Sequence, residues 1–316
     1  MDFRSVGRSG LQVSAIGLGT NNFGMRCDEE QSRAVVQKAL ESGITFFDTA
    51  DIYGNQGLSE EYLGRALKDV RQDVIIGTKF SGPMGEGPLK RGGARRYIRQ
   101  AVIASLRRLG TDYIDLYQMH YPDPLTPVEE SLRALEDLIR EGLVLYIGCS
   151  NYTPAQFVEA QLVARAEHLD PFVSAQNHYN LLNRDVEQEL LSLCSRYGAG
   201  FIPYFPLAAG FLTGKYHRGQ PAPEGARLSG GSPFAQRVLT DTNYDLLEKL
   251  EAFTQQAGHT INELAIAWLA SQPGVCSVIA GSTRPEQVEA NVRAAEWRLS
   301  EDELREVRSI LTPNGN

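Results

Sequence analysis

Clustered cysteines, basic runs and long apolar stretches are all missing from this chain, and each absence removes a class of function. Cys27, Cys149, Cys194 and Cys276 are the only cysteines, widely scattered, with neither CxxC spacing nor histidines at metal-ligand spacing. No metal site is expected, and a reduced cytoplasmic protein fits best. No Lys/Arg block offsets the formal net charge of −8 or the isoelectric point near 5.3. Such a chain repels a phosphate polymer, so nucleic acid is not an expected partner. The opening MDFRSVGRSGLQVSAIGLGT has no apolar leader, and later apolar runs are far shorter than a membrane span. Neither secretion nor a membrane partner is expected, and the sequon at Asn151-Tyr152-Thr153 reads as a chance match. Phosphate loops are missing too. Gly17-Leu18-Gly19 lacks the third glycine of a dinucleotide fingerprint, and Gly210 to Lys215 is one residue too short for a P-loop.

What is present is a repeating alternation. With 316 residues, 42% of them hydrophobic, the chain can bury one α/β barrel or two smaller cores. A hairpin is expected at Phe3 to Val6 and Leu11 to Val13. Eight strands then follow at Ala15 to Gly19, Thr45 to Phe47, Val74 to Thr78, Tyr113 to Gln118, Val144 to Gly148, Phe172 to Gln176, Gly200 to Tyr204 and Cys276 to Ala280. Runs such as VLYIGC and VIIGT do not alternate polar with apolar, as befits a parallel sheet buried on both faces. Helical patterns lie between: Glu29 to Ser42, Ser59 to Lys68, Arg95 to Leu109, Pro127 to Glu141, Thr153 to Ala166, Arg184 to Tyr197 and Arg284 to Ala294. Thr126-Pro127 and Thr153-Pro154 look like caps before a first-turn proline, and Gly43, Gly110, Gly142 and Gly198 like helix ends. Eight βα units in one chain predict a (β/α)8 TIM barrel over residues 1–316 as a single domain, with extra helices at Tyr244 to Ala257, Asn262 to Ser271 and Glu301 to Leu311. The Gly-, Pro- and Ser-rich segment from Pro206 to about Arg237 is too long for an ordinary connection and reads as a functional flap.

In a barrel, ligands sit at the C-terminal ends of the strands. Asp48, Lys79 and His120 each follow a strand, and Tyr53 lies five residues beyond Asp48. A lysine beside a phenol lowers its pKa, a carboxylate holds the lysine, and a histidine orients a carbonyl or shares the proton. The set therefore predicts proton delivery to a reacting oxygen.

Seven blocks carry a family resemblance: FDTADIYGNQGLSEEYLG at 47–64, IGTKF at 76–80, DLYQMH at 115–120, GCSNYTP at 148–154, SAQNHYNLLNR at 174–184, PLAAGFLTGKY at 206–216 and VIAGSTRPEQVEAN at 278–291. In these the chain strongly resembles the aldo-keto reductases, nearer the branch of bacterial reductases and potassium-channel β subunits than the mammalian aldose-reductase branch. The resemblance implies a barrel that binds NADP(H) across its mouth and moves the 4-pro-R hydride to an aldehyde or ketone. Asp48, Tyr53, Lys79 and His120 match the family's tetrad, with the tyrosine as general acid. A histidine at 120 favours carbonyl over carbon–carbon double-bond reduction.

Cofactor contacts follow from the same resemblance. Ser150, Asn151 and Gln176 match residues that hydrogen-bond the nicotinamide carboxamide, and Tyr204 matches the aromatic stacked under the ring. Pro206, Leu207, Ala208, Gly210, Gly214 and Lys215 match the segment over the pyrophosphate. Gly19, Thr20, Asn21, Asp48 and Ile279 match further lining positions. Ser282, Thr283, Arg284, Gln287 and Asn291 match the adenosine-phosphate segment. This sequence departs from the family where Gly281 and Gln287 replace cationic positions and Phe205 replaces a serine. Arg284 remains, and no acidic residue stands where it would pair a free ribose hydroxyl, so NADP(H) is expected ahead of NAD(H). Phe23, Met25, Phe80, Tyr121 and Tyr152 are expected to wall the pocket for a small carbonyl substrate, with the Gly-rich loop Met84 to Arg96 above it. Two other functions stay open: a cofactor-loaded redox sensor or regulatory subunit with little turnover, and a Schiff-base aldolase using Lys79, which the neighbouring Asp48 argues against.

Overall fold

The computed structural model describes residues 1–229, 232 and 234–312. Among the described residues ten strands form: β1 Phe3–Ser5, β2 Gln12–Ser14, β3 Ile16–Gly19, β4 Phe46–Asp48, β5 Ile75–Phe80, β6 Ile114–Met119, β7 Val144–Ser150, β8 Ser174–His178, β9 Gly200–Tyr204 and β10 Val278–Gly281. The first two pair as an antiparallel hairpin. The other eight close a parallel barrel in chain order, with β10 returning to β3. Helices follow the barrel strands, so the molecule is a (β/α)8 barrel with an N-terminal hairpin.

Two apolar clusters explain the closure. Val6, Leu11 and Val13 of the hairpin join Phe46, Leu116, Ile202, Cys276 and Ile279 inside the barrel. The hairpin thus plugs one end and leaves the other for a ligand. Gly7 makes the seal possible: at φ +60 a side chain there would meet the Gly198 carbonyl oxygen at 2.2 Å, where Arg8 N–H donates to that same oxygen. A second, larger cluster lies between the outward faces of the strands and the helices.

The helices Arg95–Leu109 and Glu301–Leu311 fall on the expected residues, and Thr153 and Ser300 complete capping boxes. Two expectations need correction. Thr126 does not cap its helix: its hydroxyl donates to Asp123 Oδ2, and Pro127 itself is the N-cap of Val128–Arg140. The pattern at 184–197 is broken, a short 3₁₀ turn at Asp185–Glu187 preceding the helix Leu190–Tyr197. Glu189 between them has φ −143, outside the helical range, so the ladder cannot run through. Among the described residues no helix is long and apolar enough to cross a membrane.

Candidate active site

Register sets the site. Asp48 ends β4 opposite Gly77, Lys79 of β5 pairs with Gln118 of β6, and Ser150 ending β7 pairs with Gln176 of β8. These C-terminal strand ends surround one mouth. Lys79, fully buried, donates from Nζ to Asp48 Oδ2 at 2.6 Å and to the Thr49 carbonyl at 2.8 Å. The other carboxylate oxygen, Oδ1, accepts from Gln176 Nε2 at 2.8 Å and Gln118 Nε2 at 3.4 Å. Asp48 is therefore held on both oxygens, the arrangement that makes a buried ion pair tolerable.

Tyr53 stands above this pair, with Lys79 Nζ 5.1 Å from its ring centroid, and meets His120 edge-on at 5.7 Å between centroids. Its position depends on a left-handed turn immediately after it. Gly54, Asn55, Gln56 and Gly57 all have positive φ, and a side chain on Gly54 would strike the Phe23 carbonyl oxygen and the Ser59 amide at 2.5 Å. The electrostatics differ from the sequence expectation in one respect. Burial, and after it the Asp48 carboxylate, pushes the Tyr53 hydroxyl well above the ordinary phenol range. Lys79, already bonded to Asp48, lies over the ring and does not bring it down; the cation that opposes the rise is Arg227. The phenol stays protonated at neutral pH.

His120 is 5% exposed and stacks on Tyr121 at 4.4 Å, while its Nδ1 is buried without a partner among the described residues. Burial, assisted by Lys79, lowers its pKa to about 2. A base whose folded pKa lies below its unfolded value near 6.5 makes the unfolded state the better proton acceptor as pH falls. Its stabilising effect is complete above about 6.5 and is lost toward acid. Urea unfolding of wild type is expected to lose about 2 kcal/mol more between pH 7 and 5 than His120→Gln does, from this one group. Equal losses in the two proteins would refute a buried neutral imidazole.

Around these residues lies a cavity of about 840 Å³. It is lined by Gly19, Thr20, Asn21, Asp48, Tyr53, His120, Tyr121, Ser150, Asn151 and Gln176, and by Tyr204, Phe205, Pro206, Leu207, Gly210, Lys215, Ile279, Gly281, Thr283, Arg284, Gln287 and Asn291. Four expected contacts lie just behind the wall. Lys79 is beneath Asp48, Ala208 and Ser282 are buried, and Gly214 ends the 3₁₀ turn Ala208–Thr213, where Ala209 and Thr213 reach the cavity instead. Asn151 links the wall, donating to the His120 carbonyl at 2.9 Å and accepting from the Tyr204 hydroxyl at 2.7 Å.

Of the expected substrate residues only Tyr121 lines the cavity. Phe80 follows inward-pointing Lys79, so strand alternation turns it outward against Tyr117 at 4.7 Å. Tyr152 is buried with its hydroxyl on Met119 Sδ, Phe23 is fully buried in the outer core, and Met25 is 72% exposed.

Arg26, Arg227, Glu224, Phe234 and Asn262 also line the cavity, and the sequence did not single them out for it. Arg26 donates to the Gly225 carbonyl at 2.7 Å and so fastens the flap. Among the described residues Arg26, Lys215, Arg227 and Arg284 form no ion pair, and the lining carboxylates are Asp48, taken by Lys79, and Glu224. Burial, then the positive charges of Arg26 and Arg284, which line the same cavity, lowers the Lys215 pKa. A diphosphate with a further phosphate fits this donor set. The strand-end polar groups Ser150, Asn151 and Gln176 and the flat face of Tyr204 suit an amide-bearing ring at the other end. Backbone strain marks the same wall: Asn151, Phe205, Ala208 and Ala209 have φ between +47 and +59, each costing about 1–3 kcal/mol unless neighbours enforce it.

Residues 15–312 match the family described as the Aldo/keto reductase family. The chain is 40% identical to a probable voltage-gated potassium channel subunit beta of Oryza sativa subsp. japonica, over 93% of this chain and 91% of that one. It is 38% identical to the L-glyceraldehyde 3-phosphate reductase of Escherichia coli strain K12, covering 93% and 87% of the two chains. An uncharacterized oxidoreductase of Bacillus subtilis strain 168 is 35% identical, with 100% and 97% covered.

Proposed function

This chain belongs to the aldo/keto reductase family and is an oxidoreductase, and from that premise we propose that it transfers hydride between NADP(H) and an aldehyde or ketone, with Tyr53 as general acid. Bound NADPH would supply the hydride to the carbonyl carbon. Tyr53 gives its hydroxyl proton to the carbonyl oxygen as that oxygen gains charge, so C=O becomes CH–OH, and the tyrosinate is reprotonated from solvent. A phenol held protonated releases its proton only to a strongly basic oxygen, which a developing alkoxide is and a resting carbonyl is not. Neutral His120 hydrogen-bonds the carbonyl oxygen and orients it. Asp48 and Lys79 form the floor on which the Tyr53 ring rests.

The observation that carries this reading is one cavity with Tyr53 and His120 among its walls and, among the described residues, four cations facing it against one free carboxylate. Arg284, preceding the helix Pro285–Ala294, is the residue proposed to favour a 2′-phosphate. Fluorescence titration should give tighter binding of NADPH than NADH. In Arg284→Ala, NADPH is expected to weaken roughly tenfold to a hundredfold, the loss of a charge-assisted contact, with NADH nearly unchanged. Wild-type protein that binds neither nucleotide would sink the proposal.

A second reading, a redox sensor or regulatory subunit with little turnover, is supported by the name of the rice relative. It expects NADPH binding without oxidation by any carbonyl in a panel of aldehydes and diketones, whereas the reductase reading expects carbonyl-dependent oxidation.

A further inference from the structure

Asn180 lies outside the cavity lining, yet its buried side chain bonds Phe205, which lines it, and His178, which stacks on a second lining residue, Tyr204. Its Oδ1 accepts from the amides of Leu182 and Asn183, both at 2.9 Å. That fixes the amide orientation, since only the oxygen can accept two N–H groups. Nδ2 is left to donate to the Phe205 carbonyl at 2.8 Å and to His178 Nε2 at 3.0 Å.

Both acceptors matter to the site. Phe205, at φ +55, begins the stretch in which Ala208, Ala209 and Gly210 also have positive φ. Its carbonyl receives the Ala208 amide at 3.0 Å as well. Non-glycine residues hold left-handed backbone only where surroundings over-determine it, and among the described residues Asn180 is the side chain that hydrogen-bonds the start of this stretch. His178, with Nε2 fixed as acceptor, stacks parallel to Tyr204 at 5.5 Å and 7°. Tyr204 in turn holds Asn151. One amide group therefore sets the backbone of the Phe205–Gly210 wall and the plane of the Tyr204 face.

We propose that Asn180 is a positioning residue that pre-orders the Phe205–Gly210 segment and Tyr204 for the nucleotide, an inference that rests on the reading of this cavity as the NADP(H) site. Asn180→Asp separates this role from a plain turn-stabilising one. It keeps the acceptor for Leu182 and Asn183 but sets an oxygen against the Phe205 carbonyl. Asn180→Ala removes both functions.

Two measurements are made on wild type and both variants, with melting temperature recorded. Amide hydrogen exchange without ligand should find Ala208 and Gly210 protected in wild type and exchanging at least roughly tenfold faster in each variant. NADPH titration should find affinity weakened roughly tenfold or more in both, as expected for a buried donor lost beside an acceptor. The Michaelis constant for NADPH should rise in step, while kcat at saturating NADPH stays close to wild type. Wild-type behaviour of Asn180→Asp in exchange or affinity overturns the inference, as does an unprotected Ala208 amide in wild type, which requires no variant to fold. If exchange rises as expected but wild type itself fails to bind NADPH, the nucleotide reading falls and the positioning role stands.

Discussion

Replacing Tyr53 with phenylalanine is expected to lower kcat for carbonyl reduction by about 10²–10⁴-fold, the usual weight of a positioned general acid, while NADPH affinity stays nearly the same. The split follows from where the hydroxyl acts. The ring rests against Lys79 and His120 by its face and edge, contacts that phenylalanine keeps. Tyr53 lines the cavity and its hydroxyl makes no hydrogen bond to the protein among the described residues, so its removal leaves no partner stranded. The loss therefore falls on the step in which the substrate oxygen must gain a proton. Stopped-flow measurement of NADPH oxidation at saturating substrate, with a separate nucleotide titration, checks both halves. Activity in the variant equal to wild type would remove Tyr53 as the acid.

How much of this was written in the sequence varies by element. The eight barrel strands were legible because strands buried on both faces must be continuously apolar, and the blocks that carried the family resemblance are matched by the family assignment over residues 15–312. Strand ends moved by a few residues, as in β8, which runs Ser174–His178 instead of beginning at Phe172. Asp48, Tyr53, Lys79 and His120 could be singled out from their places after strands, and the chain does bring them to one mouth. Gln118 was missed, although a period of two along β6, carried one residue past its end to His120, places both on the same face. Arg26 and Arg227 could not be found this way. They sit on irregular segments with no period, and the Arg227 guanidinium at the cavity packs over Phe205 at 4.8 Å and Phe234 at 5.5 Å. The substrate wall differs for other reasons: Phe80 is the last residue of β5, where alternation from inward-pointing Lys79 already turns it to the helix side, and Tyr152 lies past β7, where no period applies, and is buried against Met119.

Lys79→Met is expected to damage both stability and activity, and the two losses can be told apart. Removing the ammonium leaves Asp48, 3% exposed, as a buried carboxylate held only by the two glutamine amides. Breaking one side of such a pair costs about 3–5 kcal/mol, because the remaining charge is neither solvated nor matched. Adding Asp48→Asn removes that stranded charge while keeping an acceptor for Gln176 Nε2, so the double variant should recover much of the lost stability in urea titration. Reduction should not recover with it, because the Lys79 ammonium lies 5.1 Å from the Tyr53 ring centroid and nothing in the double variant restores that positive charge beneath the phenol. The ammonium attracts the ring face and so holds the phenol where its hydroxyl can meet the substrate oxygen, an orientation that methionine does not enforce. If the double variant regained activity in proportion to its stability, the pair would serve only to build the barrel floor, and the acid would owe nothing to it.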